Sequence, residues 1–301
     1  MSWLHFVTYF LLCTFKFVLI AVPVIAIENA GDPRLDDYRN VPDPELVTRG
    51  GMFVAEGRLV VRRLLTESSL ATRSLLVTEP VRASLADVIN ARPQLAVYVT
   101  PQAVMSDITG FDIHRGCLAL GERPRPVPWQ DVVAGNDANP KSQTPNPKTV
   151  VVLERVANAD NVGGVFRNAA AFGAGGVLLD AVSTDPLYRK AIRTSMGAAL
   201  LVPFARAEPW PGVLHDLRER GFAVVAMTPA PSATTLRETV ERIGGRPVAI
   251  VLGHEGEGLT RAALDACEYH TRISLTAGVD SLNVAATAAV ALYELRERGR
   301  T

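Results

Sequence analysis

The feature that most restricts this chain is a series of short, wholly apolar segments in its second half. Val150-Val-Val-Leu153, Gly176-Val-Leu-Leu-Asp180, Ala223-Val-Val-Ala-Met227 and Pro247-Val-Ala-Ile-Val-Leu252 show almost no alternation of apolar and polar positions. A strand with one face in water alternates, whereas a strand covered on both faces does not. Between them, Val162 to Phe172, Leu187 to Ala199 and Val213 to Arg220 carry helical spacing, Leu200-Leu-Val-Pro203 reads as extended, and a last helix runs from about Asn283 to Arg298. This order predicts an α/β domain whose mostly parallel sheet is covered by helices.

The first half mixes the two periods. Val22–Ile27, Ser74–Thr78, Leu95–Thr100 and Gly116–Leu120 read as strands, and Gly51–Gly57 is an apolar run ending in a turn. Arg58–Leu65, Leu85–Ala91 and Pro101–Ile108 read as helices. Between Arg123 and Lys148 stand six prolines among Asn, Ser, Gln and Asp, a texture too poor in apolar surface to offset its ordering entropy. The expected organisation is therefore an apolar extension at 1–21, a small α/β domain at 22–122, a Pro-rich linker at 123–148 and the parallel-sheet domain at 149–301.

The extension leaves three readings open. Trp3 to Ile27 is long enough to span a membrane, which takes about 20 apolar residues. A signal peptide would carry a basic start, but here His5 precedes the apolar run and Lys16 interrupts it. The third reading is a translation start placed too far upstream, with the working protein beginning near Val22. We take the third as the expectation, which makes a membrane role secondary and the location cytoplasmic.

Composition excludes little else. Lys+Arg and Asp+Glu both number 31, so any basic surface for a polyanion must be local. Cys13, Cys117 and Cys267 are far apart and form no CxxC, so no zinc site is expected and the thiols read as reduced.

Three segments of the second half carry chemistry. Asn161-Val-Gly-Gly-Val-Phe-Arg167-Asn-Ala-Ala170 follows a strand and turns into a helix; Gly163 and Gly164 would let the backbone turn closely, and Arg167 is a cation among apolar neighbours. Val251-Leu-Gly-His-Glu-Gly-Glu-Gly-Leu259 ends a buried strand in three glycines, at the end of the sheet where ligands of open α/β folds bind. It lacks the Gly-Lys-Ser/Thr of a phosphate loop, and no GxGxxG follows a strand. Arg272-Ile-Ser-Leu-Thr-Ala-Gly278-Val-Asp-Ser281-Leu-Asn283-Val-Ala-Ala286 leads from a short strand through a polar loop into the last helix, with Ser281 suited to the N-cap and Asn283 in the first turn.

In this order and spacing the three segments resemble the SpoU (TrmH-like) family of RNA 2′-O-methyltransferases, over about residues 150 to 296. Arg193-Thr-Ser195-Met-Gly197-Ala198 is similar to a further stretch of that family. Glu56-Gly57, Ile108-Thr-Gly110 and His114-Arg115-Gly116 look like its small RNA-binding domain, which is similar to ribosomal-protein-like RNA binders. One position departs: Ser274 stands where the family usually has Pro.

The resemblance implies a C-terminal trefoil knot, S-adenosylmethionine as cofactor, pairing as a homodimer through the knotted domain, and methyl transfer to a ribose 2′-hydroxyl of RNA. Ribosomal RNA is the first expectation and transfer RNA the second. A catalytically inactive RNA-binding homologue is the alternative. The matching cofactor positions are Gly253 after one strand, Ile273 and Leu275 in the next, and Leu282 in the final loop, with Thr228 a further candidate. Arg167 would act on the ribose hydroxyl as base or by orienting it, positioned with Asn161, Glu255, Ser281 and Asn283. Arg189, Lys190, Arg193 and Ser195 would meet RNA.

Overall fold

The computed structural model describes residues 23–39, 43–48, 50–109, 116–135, 149–276 and 278–298. The expectations for residues 1–21, and those on Gly110, His114 and Arg115, fall outside this range.

Each sheet assembles around its apolar runs. In the first half, β1 (Val24–Ala26), α1 (Asp43–Thr48), β2 (Met52–Glu56), α2 (Arg58–Thr66), β3 (Thr72–Val77), α3 (Glu79–Ser84), α4 (Ala86–Asn90), β4 (Ala96–Val99), α5 (Gln102–Thr109) and β5 (Cys117–Glu122) follow one another. The strands form a five-stranded sheet in the order β1-β4-β3-β5-β2. β1, β4 and β3 are parallel, and β5 runs antiparallel to both β3 and β2.

The second half contains α6 (Trp129–Ala134), β6 (Thr149–Leu153), α7 (Ala159–Phe172), β7 (Gly176–Leu179), α8 (Arg189–Thr194), β8 (Phe204–Arg206), α9 (Gly212–Glu219), β9 (Ala223–Met227), β10 (Thr234–Thr235), α10 (Leu236–Ile243), β11 (Val248–Leu252), α11 (Arg261–Ala266), β12 (Tyr269–Arg272) and α12 (Val284–Arg298). Seven strands pair in the order β10-β12-β9-β11-β6-β7-β8, and every pairing is parallel. The β6 run explains its own burial: Val151 and Leu153 point into one hydrophobic cluster, Val150 and Val152 into the cluster on the other face.

The first of these clusters is shared by both halves. It runs from Phe53, Leu64 and Leu75 of the N-terminal domain through Phe166 and Ile192 to Leu292. A third cluster, with Leu35, Tyr38 and Met105, covers the far face of the N-terminal sheet. Polar contacts tie the same seam: Arg63 donates to the Met196 carbonyl at 2.9 Å, and the Ser68 hydroxyl to the Leu200 carbonyl at 2.7 Å.

Several elements differ from expectation. Residues 136–148 of the Pro-rich stretch fall outside the described range; before them, 123–128 form no helix or strand and the chain then forms α6, whose Trp129, Val132 and Val133 sit at i, i+3 and i+4 and bury themselves against the parallel sheet. The helix expected over Leu187–Ala199 stops at Thr194, because Met196 (φ 54°) and Gly197 (φ 82°) both adopt left-handed backbone. Leu200 belongs to a short 3-10 turn rather than a strand, and the extended segment starts at Phe204. α10 and α11 escaped the reading although both are signalled: Thr235 and Glu238 form a reciprocal capping box, and the Thr260 hydroxyl accepts the Ala263 N–H.

Candidate functional site

The carboxyl ends of β9, β11 and β12 surround a cavity of about 500 Å³, closed by the segment that leads into α12. All five expected cofactor positions line it: Thr228, Gly253, Ile273, Leu275 and Leu282, together with Glu255 and Ser281. β12 ends at Arg272, so Ile273 and Leu275 lie in the loop after the strand rather than within it. The cavity thus combines aliphatic side chains with loop backbone, the composition of a small-molecule site.

The glycine loop is wound tightly. A Cβ on Gly253 would fall 2.5 Å from the Gly258 carbonyl carbon, so only glycine permits the loop to fold back on its own stem. The Gly258 N–H donates to the His254 carbonyl at 2.9 Å. Two consecutive residues at the end of β6 hold this loop from outside. Glu154 is 1% exposed, and its carboxylate accepts from Trp210 Nε1 (2.8 Å), the Thr260 N–H (2.8 Å) and the Thr260 hydroxyl (2.7 Å). Arg155 pairs with Glu257 at 2.6 Å, and its own N–H donates to Asp180. Sequence reading missed Glu154; an acidic residue ending an all-apolar strand run was the available signal.

The Asn161 segment is helical throughout. α7 starts at Ala159, where the Asn158 side chain caps it by accepting from the Asp160 N–H at 2.8 Å. Gly163 and Gly164 therefore lie inside a helix and do not form a turn. Their role is close packing. A Cβ on Gly163 would sit 2.6 Å from the Ala191 carbonyl oxygen of α8, and one on Gly164 would sit 2.6 Å from the Ala285 Cβ of α12. Seated this closely, the start of α12 is bonded twice to α7. Asn283 Nδ2 donates to Asn161 Oδ1 at 2.8 Å, and Asn168 Nδ2 donates to the Ala285 carbonyl at 2.7 Å. Asn283, not Ser281, caps α12, accepting the Ala285 N–H at 2.8 Å. Asn168, beside Arg167 in sequence, ties α7 to α12 and was not singled out by sequence reading.

The Arg167 side chain is solvent-exposed on α7, and its guanidinium has no ion pair or hydrogen bond among the described residues. Neither Arg167 nor Asn161 lines the cavity; Asn161 is linked to it through Asn283, which stands between the lining residues Leu282 and Val284.

The four residues expected at RNA meet protein groups. Ser195 is fully buried, and its hydroxyl donates to the Ile192 carbonyl, which corrects its assignment to an RNA surface. The Arg189 N–H donates to Asp43 at 2.9 Å, and Arg193 approaches Glu56 at 3.8 Å, both carboxylates of the N-terminal domain. Lys190, half-exposed, pairs with Asp160 at 2.8 Å. That bond, then the Thr194 hydroxyl, holds the Asp160 carboxyl below the usual carboxylate range. No cluster of His, Cys, Asp and Glu able to hold a metal occurs among the described residues.

A parallel α/β sheet with its cavity at the strand ends, closed by a helix cap that bonds to the Asn161 helix, defines a ligand-binding α/β protein with a second domain docked on it. The family model of the SpoU rRNA methylases matches residues 148–293. A Mycobacterium tuberculosis protein named as an uncharacterized tRNA/rRNA methyltransferase is 41% identical over 273 residues, covering 89% of this chain and 90% of its own. The solved AdoMet-bound rRNA methyltransferase of Sinorhizobium meliloti superposes with a TM-score of 0.74 at 27% identity, over 91% of this chain and 98% of that one. A solved RNA 2′-O ribose methyltransferase gives 0.69 at 26% identity, over 92% and 100%. The chain belongs to the SpoU family of tRNA/rRNA methyltransferases. No helix among the described residues is long and apolar enough to cross a membrane.

Proposed function

We propose that this protein transfers a methyl group from S-adenosylmethionine to a ribose 2′-hydroxyl of RNA, ribosomal RNA before transfer RNA. The observation that carries the reading is the cavity: about 500 Å³, with Ile273, Leu275 and Leu282 as apolar walls and the Gly253–Gly258 loop as a source of backbone hydrogen bonds. Such a lining suits an adenine and a thioether-like sulfur. When bound, S-adenosylmethionine supplies an electrophilic methyl on a sulfonium.

The chain's own residues then act on the RNA. Arg167 reaches into solvent from a helix whose register is locked to the cavity through Asn161 and Asn283. Arginine guanidinium groups stay protonated in proteins, so a fixed charge beside the ribose hydroxyl and its neighbouring phosphate favours the developing oxyanion. Proton acceptance by Arg167, the role the family resemblance implies, needs help from that phosphate. Glu255 and Ser281, which line the cavity, would orient the ribose. The N-terminal domain at 22–122 is read as the RNA-binding unit, with Arg58, exposed at the start of α2, among its available cations. Of the expected RNA contacts on the catalytic domain, the exposed portions of Lys190 and Arg193 remain in this reading.

Two finer features belong to the same proposal. A knotted C-terminus is supported by α12, which leaves the β12 side of the sheet and returns across to α7. Homodimerisation is supported by the exposed Val279, Leu282, Val290 and Tyr293 along the α12 segment.

Calorimetry with S-adenosylmethionine, followed by mapping of ribose methylation in RNA incubated with the enzyme, tests the reading. Binding with methylated ribose is the expected result; methyl groups found only on bases would overturn the ribose assignment. Arg167→Lys is expected to lose at least about a hundredfold in turnover with cofactor affinity unchanged, since Lys lacks the planar fork. Near-normal turnover would remove Arg167 from the centre.

A further inference from the structure

His254 lies between Gly253 and Glu255 on the cavity wall, and neither the sequence motifs nor the reading above gives it work. Its ring is nonetheless committed. Nδ1 accepts two backbone hydrogen bonds, from the Gly256 N–H at 3.0 Å and from the Glu257 N–H at 3.2 Å. The same residue's carbonyl accepts the Gly258 N–H, and His254 and Gly258 form an isolated bridge. One residue therefore holds three successive N–H groups of the glycine loop, two by side chain and one by backbone. Gly256 sits under the ring, with a would-be Cβ 3.6 Å from Nδ1.

Nδ1 can accept only when it carries no proton, which fixes the neutral ring with its hydrogen on Nε2. A protonated imidazole would turn an N–H toward two other N–H donors. Both bonds would be lost, and the donors would repel. The charged groups around the loop are Glu255 and Glu257 within it, Arg155 from the end of β6, which pairs with Glu257, and Asp280 from the segment before α12. None of them replaces the lost acceptor, because Gly256 and Glu257 face the imidazole.

We propose that His254 is a positioning residue for the cofactor loop: its Nδ1, by accepting the Gly256 and Glu257 N–H groups, holds the 253–259 turn in the shape that binds S-adenosylmethionine. This rests on the cavity being the S-adenosylmethionine site, and the test keeps the two claims apart.

Two variants separate the chemistry. In His254→Asn the side-chain oxygen stands the same number of bonds from the backbone as Nδ1 and can accept the same two N–H groups. His254→Leu keeps bulk and removes the acceptor. Amide hydrogen exchange at Gly256 and Glu257, corrected for intrinsic rate and measured without cofactor, reads the turn directly. Calorimetry with S-adenosylmethionine at pH 7.5 reads its consequence. His254→Leu is expected to lose protection at both amides and about tenfold in affinity. His254→Asn is expected to keep the protection and affinity of the wild type. Unchanged protection in His254→Leu would overturn the proposal, as would losses in His254→Asn equal to those of His254→Leu. A wild-type protein that takes up no S-adenosylmethionine at pH 7.5 would remove the cofactor reading of the cavity, and with it the affinity effect, whatever the amides report.

Discussion

Gly164 decides how close α12 can come to α7. Its missing Cβ leaves room for Ala285, and that contact sets the distance over which Asn283 reaches Asn161. Gly164→Ala forces a 2.6 Å contact between two carbons that have no rotamer to escape through, so the helices must part. We expect about 1–3 kcal/mol of lost stability and at least about tenfold lower methyl transfer, read by denaturant unfolding and by initial rates. Full activity would show that this approach does not set the site. Buried acids act at the same scale. Burial pushes the Cys117 thiol up to about 12, and burial with the nearby Glu154 charge does the same for Cys267. Tyr38 is also raised, by burial. These groups keep their protons in the folded protein at pH values where the unfolded chain releases them. The contribution of the two thiols is complete below their unfolded value of 9 and is lost as pH rises through the folded value of about 12. Chemical denaturation should therefore show stability falling above about pH 9, at about 1.4 kcal/mol per pH unit for each thiol. A flat profile to pH 11 would contradict the burial of these groups.

The glycine loop is an element defined from outside as much as by its own residues. Glu154 anchors its far end at Thr260, and Arg155 holds Glu257. In Glu154→Gln the remaining oxygen can keep the Trp210 and Thr260 hydroxyl bonds on one side, but the amide nitrogen on the other then faces the Thr260 N–H, donor against donor. A loss of about 2–3 kcal/mol in stability is expected, with weaker cofactor binding, measured by thermal unfolding and calorimetry. An unchanged affinity would separate the anchor from the site. The same element shows what could be read in advance. The four buried strand runs announced their type because strands covered on both faces need no polar positions. The cavity lining was legible because its residues cluster in two motifs, at Gly253 and at Ile273 to Leu282. The rest depended on tertiary partners. Gly163 and Gly164 looked like turn residues, since a sequence does not say that another helix will press against them. Arg189 looked like part of an RNA surface, since the Asp43 carboxylate that takes its N–H lies 146 positions earlier. α6 was hidden by the prolines around it, although Trp129, Val132 and Val133 already had helical spacing.

At the scale of the molecule, the two sheets share one hydrophobic cluster, and the N-terminal domain's Arg63 and Ser68 hydrogen-bond to the turn after α8. A shared core couples the halves, so we expect a single cooperative transition on thermal unfolding, with near-UV and far-UV signals coincident. Two separated transitions would show that the seam is weak and the domains independent. The closure of the site by α12 also has a consequence in time. Asn283 lies 122 positions after the Asn161 it bonds to. At roughly 5–20 residues per second of synthesis, the Asn161 helix and its strand wait on the order of ten seconds for the helix that completes them. During that interval the chain also makes β9, β11 and β12, so the sheet and the site it carries are completed together, with α12 joining α7 after the last of those strands.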